Sequence, residues 1–205
     1  MRFLRRLLGR RDALDPDALA RGDPWRHLPL VPPLAAYGPG AEHEFPHYLG
    51  GPSRIRATTP HAIAEWLLGC RYAEDAVLLG DHDVWQHPGT FEVVRSGDCE
   101  DFALWAWRKL VESGRDAEFV VGMHHRADGF VGRHAWVTFR DAGDEFVLDG
   151  VQRTVAAMLR HRRLVTAEYI PQVGASLAGH RFAFAGLFRS EWGRRLVLEA
   201  PPPPR

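Results

Sequence analysis

A chain of 205 residues, 45% hydrophobic and 25% charged, has the size and composition of one domain with a buried core. Its 26 basic and 26 acidic residues cancel, so charge gives no argument for nucleic acid or for an acidic substrate. Two cysteines do not make a disulfide framework, and no stretch approaches the roughly 20 apolar residues that span a bilayer.

The chain opens on MRFLRRLLGRR. Phe3, Leu4, Leu7 and Leu8 would share one face of a short basic helix able to touch a membrane surface or a partner; a frayed basic terminus explains the same residues. A secretory apolar core is missing, so the expected setting is a bacterial cytoplasm.

Residues 1–58 read as an irregular arm. Proline and glycine forbid a long helix there, while Trp25, Leu28, Leu30, Val31, Leu34, Tyr37, Phe45 and Tyr48 are too apolar for a free linker. The expectation is an extended strap packed on the domain. The folded domain is predicted over 59–199, with a proline-rich tail at 200–205.

TTPHAIAEWLLGC predicts a helix with a threonine cap and a proline in its first turn. Cys70 at its end reads as a small core residue. DHDVWQHPGTFEVVRSG carries turn signals and is expected to be a loop. The next stretch, SGDCEDFALWAWRKL, spaces Cys99, Phe102, Ala103, Ala106 and Leu110 on one helical face, with Gly114 as the stop. Cys99 therefore lies in the first turn, facing inward.

Beyond Gly114 the apolar period changes. AEFVVGMHH, RHAWVTFRD and DEFVLDG predict three strands, the last two joined as an antiparallel hairpin. Alternation places His134, Trp136 and Thr138 on one face, and Glu145, Val147 and Asp149 together on the next strand. A helix followed by an antiparallel sheet defines an α+β domain.

Thiol catalysis needs a cysteine, a base to take its proton and a group to orient that base. Cys99, His134 and Asp149 supply these in order along the chain. Each alone is ordinary: a buried cysteine, a strand histidine, an aspartate before glycine. Their joint pattern is what points to chemistry. A zinc reading with Cys99, His124, His125 and His134 is weak, because adjacent strand histidines point to opposite faces.

GDCEDFA, RHAWVTF and EFVLDG, in that order, resemble the bacterial transglutaminase-like cysteine proteinases, within the papain-related superfamily. DVWQHPGTF resembles that family's aromatic-x-x-Pro segment, and AEYIPQVGASLAGHRFAF its Tyr-x-Pro stretch and final strand. The likeness covers roughly residues 60–188. It implies a papain-like fold, with the cysteine on a central helix and the histidine and aspartate on an antiparallel sheet.

The resemblance also implies roles: Cys99 as nucleophile, His134 as base and then acid, Asp149 as orienter. The Cys99 backbone N–H would be one oxyanion donor, and Trp85 or Gln86 a second, with Trp85 favoured by its position. The implied substrate is a protein or peptide, cleaved through an acyl-thioester with no cofactor required for the chemistry. Acyl transfer to an amine and a silent binding module are the alternatives.

Asp98, Glu100 and Asp101 crowd the cysteine and oppose a thiolate. At a helix start they also complement the macrodipole, with Asp98 as a candidate N-cap. Related periplasmic proteinases bind Ca2+ through the acids beside the cysteine, which implies Asp98, Glu100 and Asp101 as candidate metal ligands here.

Overall fold

The change of apolar period near Gly114 is where the fold passes from its central helix into its sheet. The computed structural model describes residues 34–182, apart from 79, 81 and 82. In chain order the helices are α1 (Phe45–Leu49), α2 (Pro60–Leu68), α3 (Asp75–Leu78), α4 (Pro88–Val94), α5 (Cys99–Glu112) and α6 (Val155–Met158). The strands are β1 (Arg71–Tyr72), β2 (Ser96–Gly97), β3 (Ala117–His125), β4 (Val131–Asp141), β5 (Asp144–Leu148), β6 (Leu159–His161), β7 (Tyr169–Ser176) and β8 (Gly179–Phe182).

Local signals set the helix ends. The Thr59 hydroxyl accepts from the Ala62 N–H at 3.1 Å, and Pro60 fills the first position, where no N–H is needed. Gly114 closes α5 at φ +78°, where a side chain would strain the backbone. Within the segment expected to be a loop, the structure instead holds α4. His87 caps it, its Nδ1 accepting from Gly89 N–H at 3.0 Å, and Pro88 follows. Burial of Phe91 and Glu92 overrides the weak helix preference of Val93 and Val94.

Six strands form an antiparallel sheet in the order β6-β5-β4-β3-β7-β8, and β1 and β2 pair separately as a short parallel ladder. Gly122 on β3 has no room for a side chain, since a Cβ would press on the Ile170 carbonyl and the Trp136 ring. α5 lies against β3 and β4, and α1, α2 and α4 cover its other side. It is consequently buried beyond the single predicted stripe: Leu104, Trp105, Trp107, Arg108 and Lys109 are inside too. Trp105 stacks on Trp66 with centroids 4.0 Å apart. This is the α+β arrangement that the resemblance implies, a cysteine-bearing helix on an antiparallel sheet.

The described part of the arm is built into the same core. Tyr37, Phe45 and Tyr48 are buried there with Phe119 and Trp107. Helix α5 holds the irregular stretch after α1: Arg108 donates to the carbonyls of Gly50 and Gly51 at 2.8 and 2.6 Å. Lys109, 2% exposed, pairs with Glu92 at 3.2 Å and donates to Ser53 and to the Ile55 carbonyl. The expected basic helix, Trp25, Leu28, Leu30, Val31 and the tail lie outside the described residues.

Candidate active site

Asp98 sits at the N-cap of α5 and Cys99 is the first helical residue, so the Cys99 N–H has no partner within its own helix. The thiol is half-buried. Its Sγ donates to Glu100 Oε2 at 3.1 Å, and Ala135, the residue after His134, lines the same cavity. Burial, then Glu100 and Asp98, push the Cys99 thiol well up, against the Ala135 N–H that favours the thiolate. A cavity of about 170 Å³ opens on Cys99 and His134, walled by Tyr37, Asp83, Trp85 and Arg133.

His134 is on β4, and Asp149 follows the end of β5. His134 Nε2 and Asp149 Oδ1 are 3.0 Å apart. Asp149 is completely buried, yet four donors meet its carboxylate. His134 and the Val151 N–H reach Oδ1, while Gln152 Nε2 (2.8 Å) and the Tyr169 hydroxyl (2.7 Å) reach Oδ2. Burial alone would raise its pKa; His134, Gln152 and Tyr169 outweigh that and hold it down at about 2. An ionised carboxylate only accepts, so His134 Nε2 carries the proton and Nδ1 offers the lone pair.

The two oxyanion candidates separate. Trp85, 7% exposed, lines the cavity. The Gln86 amide is directed elsewhere, donating to Asp101 Oδ2 at 2.6 Å and to the Ser96 carbonyl at 2.9 Å. Its backbone N–H also donates to Asp101, at 2.7 Å.

The acids divide as well. Asp101 is fully enclosed, accepting from Gln86 and from the Asp98 backbone N–H at 3.3 Å; it is a tie between helix start and loop. Burial is the main reason its pKa rises to about 7. The carboxylates that converge within 4.8 Å of one another are those of Asp75, Asp98 and Glu100. Asp75 on α3 thus stands where Asp101 was expected. Oδ1 of Asp75 and Oδ1 of Asp98 are buried with no hydrogen-bond partner. Burial and neighbouring acids lift Asp98 to about 6 and Glu100 well above the carboxylate range. Orphaned oxygens and mutually repelling acids fit an oxygen-seeking divalent cation.

The histidines of the weak zinc reading separate as well. His125 is exposed, whereas His124 is buried beside His134 and Asp149. His124, His134 and Asp149 offer ligand atoms within 4.8 Å of one another, with the two imidazoles stacked at 25° between planes, so the group that forms contains neither Cys99 nor His125.

Sequence reasoning missed Asp75, Gln152, Tyr169 and the inward role of His124. Asp75 lies far from the cysteine in sequence and in no motif. Gln152 follows Asp149 closely, and Tyr169 opens the Tyr-x-Pro stretch, so those two had a signal in their position.

No family model and no curated protein sequence matches the chain. Among solved structures, calcium-bound LapG of Legionella pneumophila aligns over 68% of this chain and 74% of its own. The identity is 18% and the TM-score 0.49. EGTA-treated LapG aligns over 68% and 72%, at 18% identity and a TM-score of 0.48. Among the described residues, no helix is long and apolar enough to cross a membrane.

Proposed function

We propose that this chain is a transglutaminase-like cysteine peptidase, cleaving an amide bond in a protein or peptide through an acyl-thioester on Cys99. The observation that carries it is a fully buried, ionised Asp149 at 3.0 Å from His134 Nε2, with Cys99 and His134 lining one cavity. Asp149 fixes the tautomer that leaves His134 Nδ1 as base.

His134 Nδ1 takes the thiol proton, and Sγ attacks the carbonyl carbon. The carbonyl oxygen becomes an oxyanion, met by the Cys99 backbone N–H and the Trp85 indole N–H. The C–N bond breaks, with His134 returning the proton to the leaving amine. Water, deprotonated by His134, then opens the thioester and frees the acid product.

In the structure the thiol is hydrogen-bonded to Glu100 within an acidic surround that opposes ionisation. Asp75, Asp98 and Glu100 would hold calcium, whose charge offsets that field and so favours the thiolate.

The test is alkylation of Cys99 by a chloroacetamide probe at neutral pH with millimolar calcium, followed by mass spectrometry. Labelling should fall at least about tenfold in His134→Ala. An unlabelled Cys99, or labelling indifferent to His134, overturns the assignment. Labelling without turnover of any peptide library would support a binding module instead.

A further inference from the structure

Three rings stand side by side across three neighbouring strands behind the cavity. His134 is on β4, His124 on β3 and Tyr169 on β7. Pairing sets His124 directly opposite Tyr169, and His134 opposite Gly122, one step along the same face. The rings stack accordingly: His124 and Tyr169 have centroids 4.4 Å apart at 14°, His124 and His134 5.1 Å apart at 25°. Gly122 leaves that face of β3 bare, so His124 is the β3 side chain between the outer rings.

Both outer rings end on one carboxylate. His134 Nε2 reaches Asp149 Oδ1 at 3.0 Å, and the Tyr169 hydroxyl donates to Oδ2 at 2.7 Å. The middle ring makes no such bond; its burial and its neighbour His134 disfavour its cationic form. A neutral, flat spacer stays compatible with an imidazolium next to it, whereas a second cation would repel one.

We propose that Tyr169 and His124 are positioning residues for His134, Tyr169 by pinning Asp149 through Oδ2 so that Oδ1 faces the imidazole, and His124 by holding the imidazole plane from its side. Removing the hydroxyl leaves one buried lone pair of Oδ2 unmet and Gln152 as the remaining donor on that oxygen, which loosens the carboxylate. Removing the spacer opens a void beside the base, into which His134 can tilt. In either case the Nε2–H tautomer is no longer enforced.

The proposal rests on His134 acting as the base, but its direct readout does not. Long-range 1H–15N correlation on the labelled full chain reports the His134 tautomer without any turnover. The wild type should show His134 as a single Nε2–H form. Tyr169→Phe and His124→Ala should each show mixed tautomers and a Cys99 alkylation rate lowered about tenfold, with peptide KM within about twofold. His124→Phe, which keeps a flat ring, should recover the rate to within about threefold of wild type. Melting curves identify variants that fail to fold, and Tyr169→Phe, which keeps every ring, is the variant least exposed to that outcome.

An unchanged His134 tautomer in both Tyr169→Phe and His124→Ala overturns the proposal. So does a loss in His124→Phe as large as in His124→Ala, or an effect confined to KM. An inert Cys99 in the wild type would refute the enzymatic assignment alone, and the tautomer measurement would still decide this one.

Discussion

Withdrawing divalent cations with a chelator should destabilise the protein near neutral pH and leave it nearly unaffected in mild acid. Asp98 has a folded pKa raised to about 6 and Asp101 one raised to about 7, both chiefly through burial. A carboxyl with a raised folded pKa contributes stability fully below its unfolded value, and loses it as pH rises through the folded value. The metal-free protein should therefore weaken steadily between about pH 4 and pH 7 as these acids ionise. Calcium held by Asp75, Asp98 and Glu100 should oppose the Asp98 part of the trend, because it would bind the ionised form, and leave the Asp101 part in place. At a hundredfold excess over the dissociation constant the stabilisation is about 2.7 kcal/mol. For a chain of this size that raises Tm by about 5–10 °C. The assay is a melting series at about pH 5 and about pH 7.5, with calcium or chelator, on wild type and Asp75→Asn. Asp75→Asn removes one of the three convergent carboxylates and should lose most of the shift. Equal shifts at both pH values, no shift at the higher one, or a full shift in Asp75→Asn would refute the reasoning.

Lys109→Ala strands Glu92 beneath Trp105 and Ser53, and should cost about 3–5 kcal/mol by urea denaturation; Lys109→Met with Glu92→Leu should recover most of it. Gly40→Ala would place a methyl group inside the backbone of Asp83, so the strap walling the cavity must shift. Peptide KM should rise while alkylation by a small probe stays within about twofold, separating access from thiol chemistry. Asp149→Asn turns an amide N–H toward one of its donors and releases the His134 tautomer, and should lower kcat at least about 100-fold.

What the sequence disclosed follows from how local each signal is. The helix that starts at Cys99 and the strand carrying His134 announce themselves by apolar period, and so does the next strand, which ends at Leu148, one residue short of Asp149. The α4 segment was hidden because a short helix ending in two valines has no local preference to display; its stability comes from packing on α5. Partnership among polar groups is less legible still. Trp85 and Gln86 are adjacent in sequence, yet one faces the cavity and the other spends its amide on Asp101. Tyr169 and His124 meet His134 only through strand pairing, which no single stretch encodes.

The acids around Cys99 show the same limit, and one pair of substitutions separates their roles. Asp101 accepts three N–H donors and has no place among the three converging carboxylates. Asp101→Asn would point an amide N–H at donors and should cost about 1–3 kcal/mol while leaving the calcium response of Tm intact. Glu100 has the opposite profile: it joins the carboxylate cluster and accepts from the Cys99 thiol, Sγ to Oε2 3.1 Å. Glu100→Gln should abolish most of the calcium response, and with chelator present, at a pH where Glu100 is ionised, it should alkylate faster than wild type, since a negative neighbour of the thiolate is then gone. Alkylation in chelator and melting in calcium, measured on both variants, give a crossed pattern. A calcium response lost in Asp101→Asn and kept in Glu100→Gln would refute the assignment of the ligands by convergence with Asp75 and Asp98.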